Sequence, residues 1–255
     1  MSIKINQDKS THKNYKNIVD KKYMDDCTTC HGYDTIYVTR RIVMSSYTEI
    51  ISDKINNFDS RKVFFANDFL DIASNATVRQ ILKRLADENK IKRVIDGFYY
   101  NPTYNELIGE YEAVSIHEVA LAIARKYNWN IAPYNNTALN LLGLSTQVPT
   151  HYKYISSGRY KEYKIGDTIL EFKKVNPGEI ANMSLRTATV IQAIKSMGKE
   201  NINDQVIQKI RKNLNEKEKL DLMNESKSAS AWIYEVIRKI TEVQNEINSQ
   251  QALLI

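Results

Sequence analysis

The chain has 255 residues, 42% hydrophobic and 26% charged, so it carries enough apolar material for a core and is not a disordered polymer. Lys and Arg number 36 against 30 Asp and Glu, and the net +6 favours polyanionic partners without specifying one. No apolar run approaches the roughly 18 residues of a membrane span, and the opening MSIKINQDKSTHKNYKNIVD has no apolar stretch of the secretory kind. Membrane insertion and export are therefore not expected, and a cytoplasmic protein is. Cys27 and Cys30 are too few for a disulfide framework, which fits a reducing compartment.

Residues 1–43 are polar and without sustained period, which predicts a poorly ordered leader with at most a short strand over Thr35–Val38. Met44 is a candidate biological start, with the preceding residues an over-extended reading frame. After it, Tyr47, Ile50, Ile51 and Ile55 follow helical spacing behind a serine that can cap. Phe64-Phe65-Ala66 reads as a short extended piece. Asn67 is placed to cap a helix over Asp68–Ala73, and Ser74-Asn75-Ala76 reads as a turn. A longer helix over Thr77–Asn89 sets Val78, Ile81, Leu82 and Leu85 on one face. Ile91–Ile95 and Phe98–Tyr100 are β-rich runs around Asp96-Gly97, a strong hairpin signal. Pro102 closes this unit.

All four prolines lie between residues 102 and 177 and mark a differently built second part. Helices are expected over Ser115–Tyr127, Thr137–Leu142, Thr187–Met197 and Asp204–Leu214. Strands are expected over Trp129–Ala132, Tyr152–Ser156, Arg159–Ile165 and Thr168–Lys173, the last two joined by Gly166-Asp167. Ile233, Val236, Ile237, Ile240, Val243 and Ile247 predict one long amphipathic helix over Ser228–Asn248. The expected fold class is α+β, in three parts. A leader spans residues 1–43 and a winged helix-turn-helix 44–104; a mixed α/β domain with a long C-terminal helix spans 105–255.

The helix-turn-helix-hairpin order over Asn67–Tyr100 suits DNA. A helix fits the major groove, and a hairpin wing reaches the neighbouring backbone. Charge concentrates in the same place. Between Arg79 and Arg93, six basic residues stand against Asp87 and Glu88, so +4 of the +6 falls within fifteen residues. With Val78, Ile81, Leu82 and Leu85 turned inward, the outer face offers Thr77, Gln80, Lys83 and Arg84. Gln80 is suited to adenine and Arg84 to guanine, whereas Lys83, Lys92 and Arg93 suit phosphates. The competing account is a winged helix that contacts protein and leaves its Lys and Arg in solvent.

Several stretches resemble one family. They are Val63–Tyr100, the run Ala138-Leu139-Asn140-Leu141-Leu142-Gly143-Leu144-Ser145-Thr146-Gln147-Val148-Pro149, the segment Lys164–Lys173, and Ile191-Gln192-Ala193-Ile194 followed by Gly198-Lys199-Glu200. Together they look like the AbiEi-type antitoxins of abortive-infection, type IV toxin–antitoxin systems, over roughly residues 45–215. The resemblance implies an N-terminal winged helix that binds and represses the operon's own promoter. It also implies a C-terminal domain that counteracts a nucleotidyltransferase toxin encoded alongside, without requiring a stable complex. On this reading the protein is not an enzyme and uses no cofactor.

Other constellations are weaker. Cys27-Thr28-Thr29-Cys30-His31 fits the haem-attachment pattern, and with His12 it makes a poor zinc set; in a polar leader it reads as a chance match. Glu171-Phe172-Lys173 is an E-x-K of the kind metal-dependent nucleases use, but Asp167 is poorly placed as a second acidic ligand, and a strand with a solvated lysine is the simpler account. His117 and His151 lack zinc-protease spacing. The eight glycines are isolated, so no phosphate loop exists. The Gly-Ser and paired-aspartate signature of a nucleotidyltransferase is also missing, which points to the antitoxin of such a pair rather than its toxin.

Overall fold

A computed structural model describes residues 46–59, 61–180 and 182–242. The chain divides into two compact units, Met1–Ala122 and Ile123–Ile255. The class is mixed α+β. Among the described residues no helix is long and apolar enough to cross a membrane. The leader strand, the Cys27–His31 motif and residues 243–248 of the expected last helix lie outside the described residues.

In the first unit, helix α1 (46–56) buries Ile51 and Ile55. Strand β1 (Val63–Phe65) leads into a 3₁₀ turn, Ala66–Phe69, where the sequence suggests an α-helix over Asp68–Ala73. The tighter winding has a local cause. The Phe65 N–H donates to Asp68 Oδ2 at 3.0 Å, and the Leu70 and Ile72 N–H groups reach back three residues to Asn67 O and Phe69 O. Asn67 does not cap; its Oδ1 accepts from Asn75 Nδ2 instead.

Helix α2 (Asn75–Asp87) is capped by Ser74, whose Oγ accepts from the Thr77 N–H at 3.3 Å. It ends short of Asn89 because that residue takes a left-handed φ of 57°. Strands β2 (Lys92–Ile95) and β3 (Phe98–Tyr100) turn at Gly97, φ 77°, in an antiparallel sheet ordered β1-β3-β2. The core seats Val78, Ile81, Leu82 and Leu85 against Phe64 and Phe69. The rings of Phe58, Phe64 and Phe69 form a triangle with every centroid separation at 5.7 Å. Beyond Pro102 comes a small hairpin that the sequence pattern did not signal, β4 (Tyr104–Asn105) with β5 (Glu110–Tyr111). Helix α3 (Ile116–Tyr127) follows, and the boundary between the units falls within it.

The second unit is built on strands β6 (Ile131–Pro133), β7 (His151–Ser156), β8 (Lys161–Ile165) and β9 (Thr168–Lys174). Their order is β6-β7-β9-β8, with β7 and β9 parallel and the other pairs antiparallel. Tyr154, Leu170 and Phe172 are fully buried, the Phe172 ring within 6.1 Å of those of Trp129, Tyr154 and Tyr163. Elsewhere in the sheet Ala132 and Ile155 cluster with Ile180 and Ala188, the last from α5 (Leu185–Met197). Ser184 caps α5 through the Thr187 N–H at 3.2 Å.

The helical core joins α4 (Asn136–Leu141) and α5 to α6 (Asp204–Lys212), α7 (Glu216–Glu225) and α8 (Ala231–Thr241). Helix α7 was not legible as an element. Its start is set by a reciprocal cap, Asn215 Oδ1 accepting from the Glu218 N–H and Glu218 Oε2 from the Asn215 N–H, both at 2.9 Å. The stretch that begins at Ser228 is not helical from there: Ser226–Ser228 is a 3₁₀ turn, Ser230 is extended, and the helix starts at Ala231.

Candidate nucleic-acid interface

The outer face of α2 is set by its inner one. Val78, Ile81 and Leu82 are fully buried, so the 3.6-residue period delivers Gln80, Lys83, Arg84 and Asp87 to solvent. These four line one open depression of about 290 Å³. Gln80 and Lys83 are exposed and stand one turn apart, and among the described residues Lys83 makes no ion pair. A carboxamide beside an ammonium on a helix face is a donor–acceptor pair for a base edge next to a cation for a phosphate.

The other expected contacts are held in different ways. Thr77 is half-buried, and its hydroxyl lies 2.9 Å from Ser74 Oγ, so it belongs first to the helix cap. The Arg84 guanidinium donates to Thr48 Oγ1 of α1, and its Nε lies 3.9 Å from Glu88 Oε1. Glu88 in turn is 2.9 Å from Lys90 Nζ. The Lys90 hydrogen bond holds the Glu88 carboxyl below its usual range against a smaller opposing effect of burial, with the charges of Lys90 and Arg84 adding to it. Arg84 is thus parked along α2, and reading a base requires it to leave both partners. Lys92 places its ammonium 4.5 Å from the Tyr111 ring centroid. Arg93 lies 3.8 Å from Asp96 and 5.5 Å from the Tyr99 ring.

Arg79 and Lys90 fall in the same basic segment and are both exposed, although sequence reasoning gave them no contact. Thr48 had no local signal, because its contact with Arg84 spans 36 residues.

The E-x-K strand is arranged as an ion-pair cluster. The Glu171 carboxylate, with its side chain only 14% exposed, lies 2.8 Å from His151 Nε2 and 3.4 Å from Lys153 Nζ. Lys173 turns its ammonium towards the Tyr134 ring, 5.5 Å from the centroid. Glu162, not Asp167, is the acidic residue in register with Glu171. The Lys153 ammonium therefore pairs with the carboxylate beside the His151 ring, and among the described residues no group of three or more His, Cys, Asp or Glu could hold a metal ion. His117 lies half-buried on α3, where burial lowers its basicity. The loop from Gly143 to Pro149 leaves α4 through a left-handed Gly143, φ 63°. It is pinned by Asn140 Nδ2 donating to Gln147 O at 3.0 Å, and it exposes Val148.

A family model matches residues 50–222, and the chain belongs to that family, DUF6088, a family of unknown function. No curated protein matches the chain.

Proposed function

We propose that this DUF6088 member is an autoregulatory DNA-binding protein, the antitoxin of a type IV toxin–antitoxin pair. It acts in the cytoplasm by binding rather than by catalysis. The observation that carries the DNA reading is the exposed α2 face, with Gln80, Lys83 and Arg84 sharing one depression beside a hairpin that bears Lys92 and Arg93. We read α1, the 3₁₀ turn, α2 and the β2–β3 hairpin as a winged helix-turn-helix. In this reading α2 enters the major groove of the promoter. Gln80 pairs with an adenine edge, and Arg84 exchanges Thr48 and Glu88 for guanine. Lys83, Lys92 and Arg93 neutralise phosphates. The antitoxin assignment rests on the family resemblance of the sequence, and it names a nucleotidyltransferase as the activity to be counteracted.

A gel shift with the operon's own promoter tests the DNA surface. Replacing Lys83, Arg84, Lys92 and Arg93 together by Ala is expected to abolish the shift. Lys83→Ala alone is expected to weaken all sequences alike and to lower the salt slope by about one unit. Gln80→Ala is expected to relax specificity by roughly 1–3 kcal/mol at one base pair. An unchanged shift in the fourfold variant would refute the reading and leave a winged helix that contacts protein.

A further inference from the structure

The four-stranded sheet of the second unit ends in two unlike edges. At one, β6 is three residues long and closes on Pro133, which has no N–H to offer a further strand. At the other, β8 is five residues long and contains neither proline nor glycine. Among the described residues β8 pairs with β9 alone, so its outer row of backbone donors and acceptors meets no strand.

Which residues face outward follows from the turn. Gly166-Asp167 is a two-residue loop with Gly166 at φ 57°, and Ile165 and Thr168 form the hydrogen-bonded pair that closes it. The register with β9 runs without a bulge from there to Lys161 and Phe172. Hydrogen-bonded and open pairs alternate along it, so Ile165, Tyr163 and Lys161 direct their N–H and C=O groups to β9. Lys164 and Glu162 direct theirs out of the sheet, and both side chains are exposed.

These two residues carry opposite charges, and that selects the occupant. A second β8 running antiparallel about a two-fold axis must set outward-facing residues against outward-facing residues, which leaves three central registers. One opposes Glu162 to Glu162 and another Lys164 to Lys164, and like charges directly opposite repel. The third centres on Tyr163 and sets Glu162 of each copy against Lys164 of the other. Arg159 and Asp167, just beyond the two ends of the strand, are opposed in the same register. A strand guarded by lysines alone would repel a copy in every register. The protomer also leaves Glu162 short of a cation. Its neighbour in register on β9 is Glu171, already paired with Lys153, and the Tyr160 hydroxyl donates to Glu162 Oε2 at 3.3 Å.

We propose that β8 is a self-association edge, by which two copies of this chain join antiparallel about Tyr163 into one eight-stranded sheet. The contact is isologous, each copy supplying the same strand. A single strand falls well below the roughly 800 Å² per partner of a standard interface, so the dimer is weak and depends on concentration.

Sedimentation of the full chain from micromolar concentrations upward tests this, and the parent is expected to pass from monomer to dimer. Glu162→Lys and Lys164→Glu each put like charges at both pairs and are expected to weaken the dimer at least about tenfold. Mixed one to one, the two variants oppose Lys to Glu again at both pairs, and they are expected to recover a heterodimer as tight as the parent's. Misfolding of either variant cannot produce that recovery. With Cys27 and Cys30 replaced by Ser, Tyr163→Cys is expected to form an intermolecular disulfide on oxidation, because Cα atoms at an open pair stand about 4.5 Å apart. Ile165→Cys, displaced from the axis, is expected not to. A parent that stays monomeric throughout overturns the proposal, whether residues 1–45 or another protein covers the edge. A dimer that both reversals and their mixture leave unchanged overturns it too, since the contact then lies elsewhere.

Discussion

The two units solve the same packing problem by different means. In the first, a triangle of phenylalanines and the inner face of α2 make a core from residues 51–99, and the hairpin of its sheet closes over two residues. In the second, the sheet inserts β9 between β7 and β8, so the strands pair out of chain order and β7 runs parallel to β9. The lesson is one of locality. A core built mostly from neighbours in sequence frees its outer faces to carry charge, and the dense basic cluster sits on the locally built unit. In the unit with crossed connections the sheet pairs Glu171 with Lys153 beside His151, and its helices carry further pairs such as Arg186 with Glu218.

The largest expected effect separates the units as folding blocks. Phe69 is fully buried in the first, and Phe69→Ala is expected to cost about 3–5 kcal/mol. Both tryptophans, Trp129 and Trp232, belong to the second unit, so their fluorescence reports on it alone. In urea, circular dichroism of this variant should show part of its amplitude lost early, with the fluorescence midpoint unmoved. Equal shifts in both signals would make the units one cooperative block and break the comparison.

A change at Gly158 probes the second unit in the opposite sense. A Cβ there would lie 2.1 Å from Trp129 Cε2, and the ring has little room to retreat, being stacked on Tyr127 at 5.0 Å. Gly158→Ala is expected to cost roughly 1–3 kcal/mol by overpacking. It should shift the fluorescence transition and the emission maximum and leave promoter binding intact.

The smallest effect depends on pH. Burial pushes the Glu225 carboxyl up, but hydrogen bonds from the Thr187 hydroxyl and from the Ser184 N–H and hydroxyl more than offset this and hold it below its usual range. Both Ser184 contacts to Glu225 Oε2 are 2.8 Å. A carboxyl depressed in the folded state stabilises above its unfolded pKa, and that stability is lost as pH falls through the folded value. Glu225→Gln should therefore lower the second unit's urea midpoint at neutral pH, and the gap to the parent should close in acid. A gap that persists in acid would show that geometry, not charge, accounts for the contribution.

Where an element's cause is local, the sequence pattern located much of it. Asp96-Gly97 turns the first unit's hairpin, and the apolar stripe of α2 names its own inner face; the caps at Ser74 and Ser184 were not read, so both helices begin two residues earlier than expected. That stripe also made Gln80, Lys83 and Arg84 legible as one surface, since a helix that buries one face must expose the other. The misses share a cause as well. The 3₁₀ turn at Ala66–Phe69 follows from where the Asp68 carboxylate folds back, and the β4–β5 hairpin has strands too short to leave a period of two. Composition and spacing by themselves determined a mixed α+β chain with its basic charge gathered on and beside α2. Only the tertiary structure decided that β7 lies parallel beside β9, that Thr48 restrains Arg84, and that Lys153 pairs with Glu171 beside His151. These contacts join residues 18 to 36 positions apart, and no periodic pattern reaches that far; the energy that selects among such pairings exists only once the strands and helices have come together.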